Sequence, residues 1–346
     1  MATNIAEAPP AVVPDRARYD GSTLRAAIAL LAPLAMSLVA LAVHRCVPDK
    51  QEEPLNWLAS LPDWKHPYPI VLVAIGVGSL LASIVHAGIR PLRSWIRFYA
   101  PLLVILPIWL LIWEYTTVKR DWLKLPFFPG PDEVFGAMIE DREMLAESAW
   151  HSLLLLMGGY VAGVISGVIT GVVIGWFSTI RYWAMPTIKF WGPIPSITLI
   201  PLAFTLWTDS YYCGVLLIGY SVWFPVTILT SSGIANVRLS YLDVARTLGA
   251  SETFLIFRVA IPAAMPNIFI GMFMGMAISF LSLIAAETVG VKAGLGWYMN
   301  WQRGYMEYAK VYATLIISAV FFSTILSALF KLRDWVLAWQ KGVIKW

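Results

Sequence analysis

The side chains that could do chemistry are few in this 346-residue sequence, and their spacing suits little of it. His44, His66, His86 and His151 are scattered without ligand spacing, and Cys46 and Cys213 lie too far apart to read as a zinc pair or a disulfide framework. There is no Gly-x-x-x-x-Gly-Lys-Ser/Thr loop to cradle nucleotide phosphates, no Gly-x-Ser-x-Gly elbow and no His-Glu-x-x-His pair. The sequence therefore predicts a chain that is not an enzyme, holds no metal and binds no cofactor of its own. Three charges inside apolar runs remain: Glu114, Lys189 and Glu287. Such charges mark either a solute path or side chains that reach out to the headgroups. Snorkelling accounts for Glu114 and Lys189, and a structural hydrogen bond for Glu287, which closes its run just before Gly290.

The elements that must position these residues are apolar. Hydrophobic residues make up 59% and charged residues 13%, with a mean hydropathy of +0.70, which excludes an ordinary soluble domain. The formal charge of +4 comes with no basic run interleaved with aromatics, so lipid is an expected partner and nucleic acid is not. Candidate spans fall at residues 24–43, 69–89, 98–116, 153–177, 182–207, 215–230, 263–285 and 312–332. The expected fold is all-α and polytopic, with about eight transmembrane helices. Residues 1–22, rich in Ala, Pro and Asp, read as a disordered cytoplasmic tail. Lys and Arg collect around 16–25, 90–97, 181, 238–258 and 331–345, which predicts both termini in the cytoplasm.

Two spans carry backbone signals. Pro186, Pro193, Pro195 and Pro201 each remove a donor from residues 182–207, so this helix must break or kink within protein. It either lines a solute path, with Lys189, Trp191, Pro193 and Pro195 on it, or kinks for packing alone. Gly159, Gly163, Gly167, Gly171 and Gly175 recur every fourth residue and make one helical face a close-packing seam, within a subunit or between two. Trp191, Trp207, Tyr211, Tyr212, Trp223 and Phe224 gather around the broken span and the next one. An interfacial belt accounts for most of them, and stacking on a ligand is the alternative.

Residues 240–262 are too charged for lipid and too patterned for a slack loop. Asp243, Val244 and Ala245 open a helical turn, Gly249 falls at a break between two short helices, and Pro262 takes the first-turn position of the next span. This stretch resembles the EAA loop of binding-protein-dependent ABC importer permeases, whose frame is Glu-Ala-Ala, three residues, Gly, nine residues, then Ile-x-Leu-Pro. Asp243, Val244, Ala245, Gly249, Val259, Ile261 and Pro262 occupy that frame. The resemblance runs from about residue 125 to 345 and is nearest to the nitrate, sulfonate, taurine and bicarbonate branch. It includes FPGPDEVFGAM at 128–138 and AETVGVKAGLGW at 286–297.

The resemblance implies a six-helix type I permease core at 96–346, with a coupling loop at 239–262 that docks on an ATPase subunit. Asp243, Ala245, Arg246, Gly249 and Pro262 take the coupling role there. Residues 23–95 form a two-helix extension to which no family role carries over. It further implies two ATPase subunits that hold ATP and Mg, a second permease copy, an external substrate-binding protein and a bacterial inner-membrane location. The work would be import of a small solute (nitrate, sulfonate, taurine or a related organic anion) by alternating access. Two departures weaken the anion case: Gly192 where many relatives carry Arg, and WTDSYYCGV at 207–215 in place of Trp-Phe-Gly-x-Gly followed by Lys. An ATP-independent secondary transporter and a membrane scaffold without transport are the alternatives. The former should show paired broken spans, and only one is visible.

Overall fold

A computed structural model describes residues 23–50, 66–88, 102–207 and 209–340; the expected tail at 1–22 lies outside them. The described residues are helical and include no strand. They divide into two compact units, with the boundary between Gly136 and Ala137.

The first unit contains α1 (Thr23–Cys46), α2 (Pro67–Gly88) and α3 (Ile105–Glu114), the last leaving through a π turn (Tyr115–Lys119). Ala40, Tyr68, Leu72 and Leu110 form its buried centre. One end is fastened by polar groups. Lys119, buried at the close of the π turn, donates Nζ to the His44 and Val47 carbonyls at 2.6 and 2.8 Å and pairs with Asp49 at 2.6 Å. Those carbonyls belong to the end of α1, where a helix leaves acceptors unsatisfied and favours a cation. Glu114, also buried, meets His44 Nδ1 at 2.5 Å, and Asp132 meets His66 Nδ1 at 2.6 Å while accepting from the Tyr68 N–H at 2.9 Å. Asp132 lies in α4 (Pro131–Glu140).

The second unit runs through α5 (Arg142–Trp176), α6 (Ser178–Trp191), α7 (Ile200–Leu206), α8 (Ser210–Ala235), α9 (Leu239–Thr247), α10 (Glu252–Phe254), α11 (Ile261–Val289), α12 (Leu295–Gly304) and α13 (Tyr308–Val336). Among the described residues, four helices are long and apolar enough to cross a membrane: Arg142–Trp176, Ser210–Ala235, Glu252–Val289 and Tyr308–Val336. Leu31–Cys46 and Pro67–Ala82 are shorter apolar helices. The α5 helix starts well before the apolar run expected at 153, because its first turns are amphipathic and lean on α12 instead of lipid.

α8 is the centre of this unit, packed between α5 and α11. The glycine seam lies within the subunit. A Cβ on Gly159 would come within 2.5 Å of Ile218, one on Gly167 within 2.8 Å of Val226, and one on Gly175 within 2.7 Å of Ile234. Ile218, Val222, Val226, Thr230 and Ile234 repeat every fourth residue as the glycines do, so a ridge of α8 fills the groove that α5 leaves open. Thr170 stitches the seam, meeting the Thr227 hydroxyl at 2.8 Å and accepting from Trp223 Nε1 at 3.0 Å.

Candidate coupling elbow and solute path

The α9 helix ends because Gly249 takes φ +81°, a conformation that L side chains rarely adopt. Its N–H donates to the Arg246 carbonyl at 2.9 Å, and the Ala250 N–H to the Ala245 carbonyl at 3.1 Å, the paired bonds of a Schellman stop. The chain restarts at once, with Ser251 Oγ accepting from the Phe254 N–H at 3.4 Å as an N-cap. The second short helix is not separate. It passes through a π turn (Leu255–Ala260) into α11 and makes one helix from Glu252 to Val289. The widened turn falls just before Pro262, which has no N–H to give the ladder.

Leu242 and Leu255 are buried and fix the elbow to the bundle. Its outward side is apolar as well as charged: Leu239, Val244 and Leu248 project outward, Leu248 at 82% exposure. Arg246 lies 3.6 Å from Asp243 and 3.9 Å from Glu252, bracing the elbow across the Gly249 turn while all three stay exposed. The elbow thus presents exposed leucines beside a charged brace.

The proline-bearing span is broken where the prolines fall. α6 runs through Pro186 to Trp191, a turn covers 192–195, and α7 begins at Ile200 after a 3₁₀ turn. The break is half-buried to exposed along 191–198 and is tied to the neighbouring helices at two points. Tyr220 O–H donates to the Trp191 carbonyl at 2.5 Å, and Ser196 and Ser282 share a hydrogen bond at 2.6 Å. Gly192 packs against the Phe224 ring, and Cys213 donates its thiol to the Ala203 and Trp207 carbonyls. Beside it, a cavity of about 480 Å³, largely open to its surroundings, lies between α5 and α8, lined by Trp207, Tyr212, Tyr220 and Trp223 with Ser166 and Gly163. No charged side chain lines it.

Lys189, Trp191, Pro193 and Pro195 are exposed along the broken span, Glu287 is buried at the end of α11, and Glu114 is paired within the first unit. Trp207, Tyr212 and Trp223 meet at the cavity, whereas Phe224 is spent on Gly192. Two residues went unnoticed in the sequence. Tyr220, four residues before Phe224, was legible as its neighbour on one helix face. Ser152, which binds Glu287, is a small hydroxyl at the start of an apolar run and gives no signal.

The chain is an α-helical membrane protein with a polar elbow between two of its long helices and a broken helix beside them. Residues 159–337 match the family described as binding-protein-dependent transport system inner membrane component, and the chain belongs to that family. It is 24% identical over 226 residues to the taurine transport system permease protein TauC of Escherichia coli, covering 63% of this chain and 80% of that one. A Bacillus subtilis protein named for aliphatic sulfonates transport, SsuC, is 31% identical over 163 residues, 47% of this chain and 59% of that one. In fold, the chain superposes on one from inward-facing crystals of the MetNI methionine ABC transporter, with TM-score 0.50 and 15% identity, over 57% of this chain and 98% of that one. The chain is thus a permease component, in the inner membrane, of a binding-protein-dependent ABC transport system.

Proposed function

We propose that this permease works in an ATP-driven importer by alternating access, with both termini in the cytoplasm. The observation that carries the reading is the elbow. Its exposed leucines dock on one of two ATPase subunits that hold ATP and Mg, and the Glu252–Val289 helix carries the displacement into the bundle without a joint. Asp243, Ala245, Arg246, Gly249 and Pro262 shape that contact. A second copy of the chain supplies the second elbow, and an external binding protein delivers solute. The chain hydrolyses nothing itself.

The names of the relatives point to a sulfonate or taurine-like solute. The uncharged, aromatic-walled cavity supports a solute recognised by its organic body over a bare inorganic oxyanion.

Copurification with an ATPase subunit, followed by uptake and hydrolysis assays on Gly249 variants, tests this reading. A Cβ at 249 meets nothing within 4 Å, so the constraint is conformational. Gly249→Val should lower ATP-coupled uptake by about tenfold through strain, while Gly249→Asn, tolerant of that conformation, should retain it. Equal coupling in both variants, or no ATPase in the complex, would defeat the proposal.

A further inference from the structure

The bend between α11 and α12 closes around a carboxylate that no cation neutralises among the described residues. Glu287 is 1% exposed and accepts from Ser152 Oγ at 2.6 Å and from the Gly296 N–H at 2.7 Å. The Ser152 hydroxyl in turn accepts from the Leu295 N–H at 2.9 Å. Leu295 and Gly296 open α12, so carboxylate and hydroxyl together satisfy donors that a helix start leaves free and lie where its dipole favours negative charge. The connector fits only glycine at 294, which takes φ +115° and where a Cβ would lie 2.3 Å from Glu287 Oε1.

α12 is otherwise fastened to α5. Tyr298 donates its O–H to the Asp141 carboxylate, and Lys310 Nζ reaches the same oxygen at 3.1 Å. Asp141 precedes Ser152 by about three helical turns, so α12 runs back along the start of α5. Among the described residues, Glu287 is the side chain from the far side of the connector that hydrogen-bonds the first turn of α12; Asn300 adds one bond to the Thr288 carbonyl at 3.4 Å.

We propose that Glu287 is a positioning residue of the permease: with Ser152 it locks the α11–α12 bend, and release of this lock lets the outer segment part from the bundle during transport. The proposal rests on the transport reading above. These three directional bonds share the Glu287 and Ser152 side chains and fail together when the first turn of α12 shifts, which makes the lock switch-like, while the Asp141 contacts hold the rest of α12.

The test uses the full-length chain in lipid nanodiscs and, separately, the complex reconstituted with its ATPase and binding protein. Glu287→Gln turns one acceptor into a donor and breaks one bond. Hydrogen exchange at the Leu295 and Gly296 amides should rise about tenfold or more, with the α5 seam at 155–175 unchanged, and the complex should hydrolyse more ATP per solute moved. Ser152→Ala should reproduce both effects and serves if the Gln variant does not fold, while Ser152→Thr, which restores the hydroxyl, should return coupling towards that of the parent. Unchanged exchange, acceleration spread through α5, or an unchanged ATP-to-solute ratio at normal yield would overturn the proposal. If the parent complex shows no ATP-driven uptake, the transport reading falls, while the exchange measurement still judges the lock.

Discussion

The ring of Phe224 stands where any side chain at position 192 would have to go: a Cβ on Gly192 would lie 1.8 Å from Phe224 Cε2 and 2.0 Å from its Cδ2. One turn earlier on α8, Tyr220 holds the Trp191 carbonyl that the broken helix leaves open. Two residues of the central helix thus define where α6 ends. The glycine that weakens the anion reading has a local reason, because no basic side chain fits there while Phe224 keeps its place.

Gly192→Ala should therefore destabilise the chain by about 1–3 kcal/mol through overpacking. Combined with Phe224→Ala, the cost should fall below the sum of the two single changes by about 1 kcal/mol or more. Thermal unfolding of the four proteins in one detergent decides it, and strict additivity would show that the two positions do not compete for space.

The α5–α8 seam makes a second prediction. Gly171→Ala brings a Cβ within 2.5 Å of the Thr230 Cβ and 2.8 Å of the Thr227 carbonyl, where backbone must move. It should cost about 1–3 kcal/mol despite the better helix propensity of alanine. Gly304→Ala, which meets nothing within 4 Å, should stay within about 0.5 kcal/mol of the parent. Equal melting temperatures for the two variants would contradict the close approach of α5 and α8.

Much of this was legible because backbone chemistry writes itself into residue type. The break at 192–195, the stop at Gly249 and the stripe from Gly159 to Gly175 each follow from a missing donor, a permitted φ or an absent side chain. Periodicity could not say what fills the groove of the stripe, since the answer lies about sixty residues on, at Ile218 to Ile234. Nor could it show that the elbow passes without a joint into α11, because a π turn has no strong sequence mark. Buried charges were hardest. Read alone, Glu114 suits the headgroups and Glu287 a structural hydrogen bond; the structure instead buries Glu114 against His44, and it gives Glu287 its bond from Ser152.

In the first unit, Lys119 should be the costliest side chain to lose. Replacing it with Met leaves the His44 and Val47 carbonyls without their donor and removes the cation 3.9 Å from buried Glu114. A loss of about 3 kcal/mol or more is expected, and Lys119→Arg should recover only part of it, because a planar fork cannot follow three acceptors arranged for an ammonium. Denaturant unfolding checks both, and a Met variant as stable as the parent would mean that α1 is not held by this group.

Glu133 gives the pH dependence. Burial pushes its carboxyl up to about 7 from an ordinary 4.5, a hydrogen bond from the Gly130 backbone opposes the rise, and the neighbouring Asp132 charge adds to it. Between those two values the folded chain holds a proton that the unfolded chain has lost, so this group makes stability fall as pH rises from about 4.5 to about 7, and then level off. Glu133→Gln should remove that slope, raising stability by up to about 3 kcal/mol at pH near 8 and by little at pH near 4. Unfolding curves for parent and variant across this range make the comparison. A variant that keeps the parent's slope would place the titrating group elsewhere, whereas a parallel loss at every pH would mean that the Glu133 carboxyl contributes by packing and not by its proton.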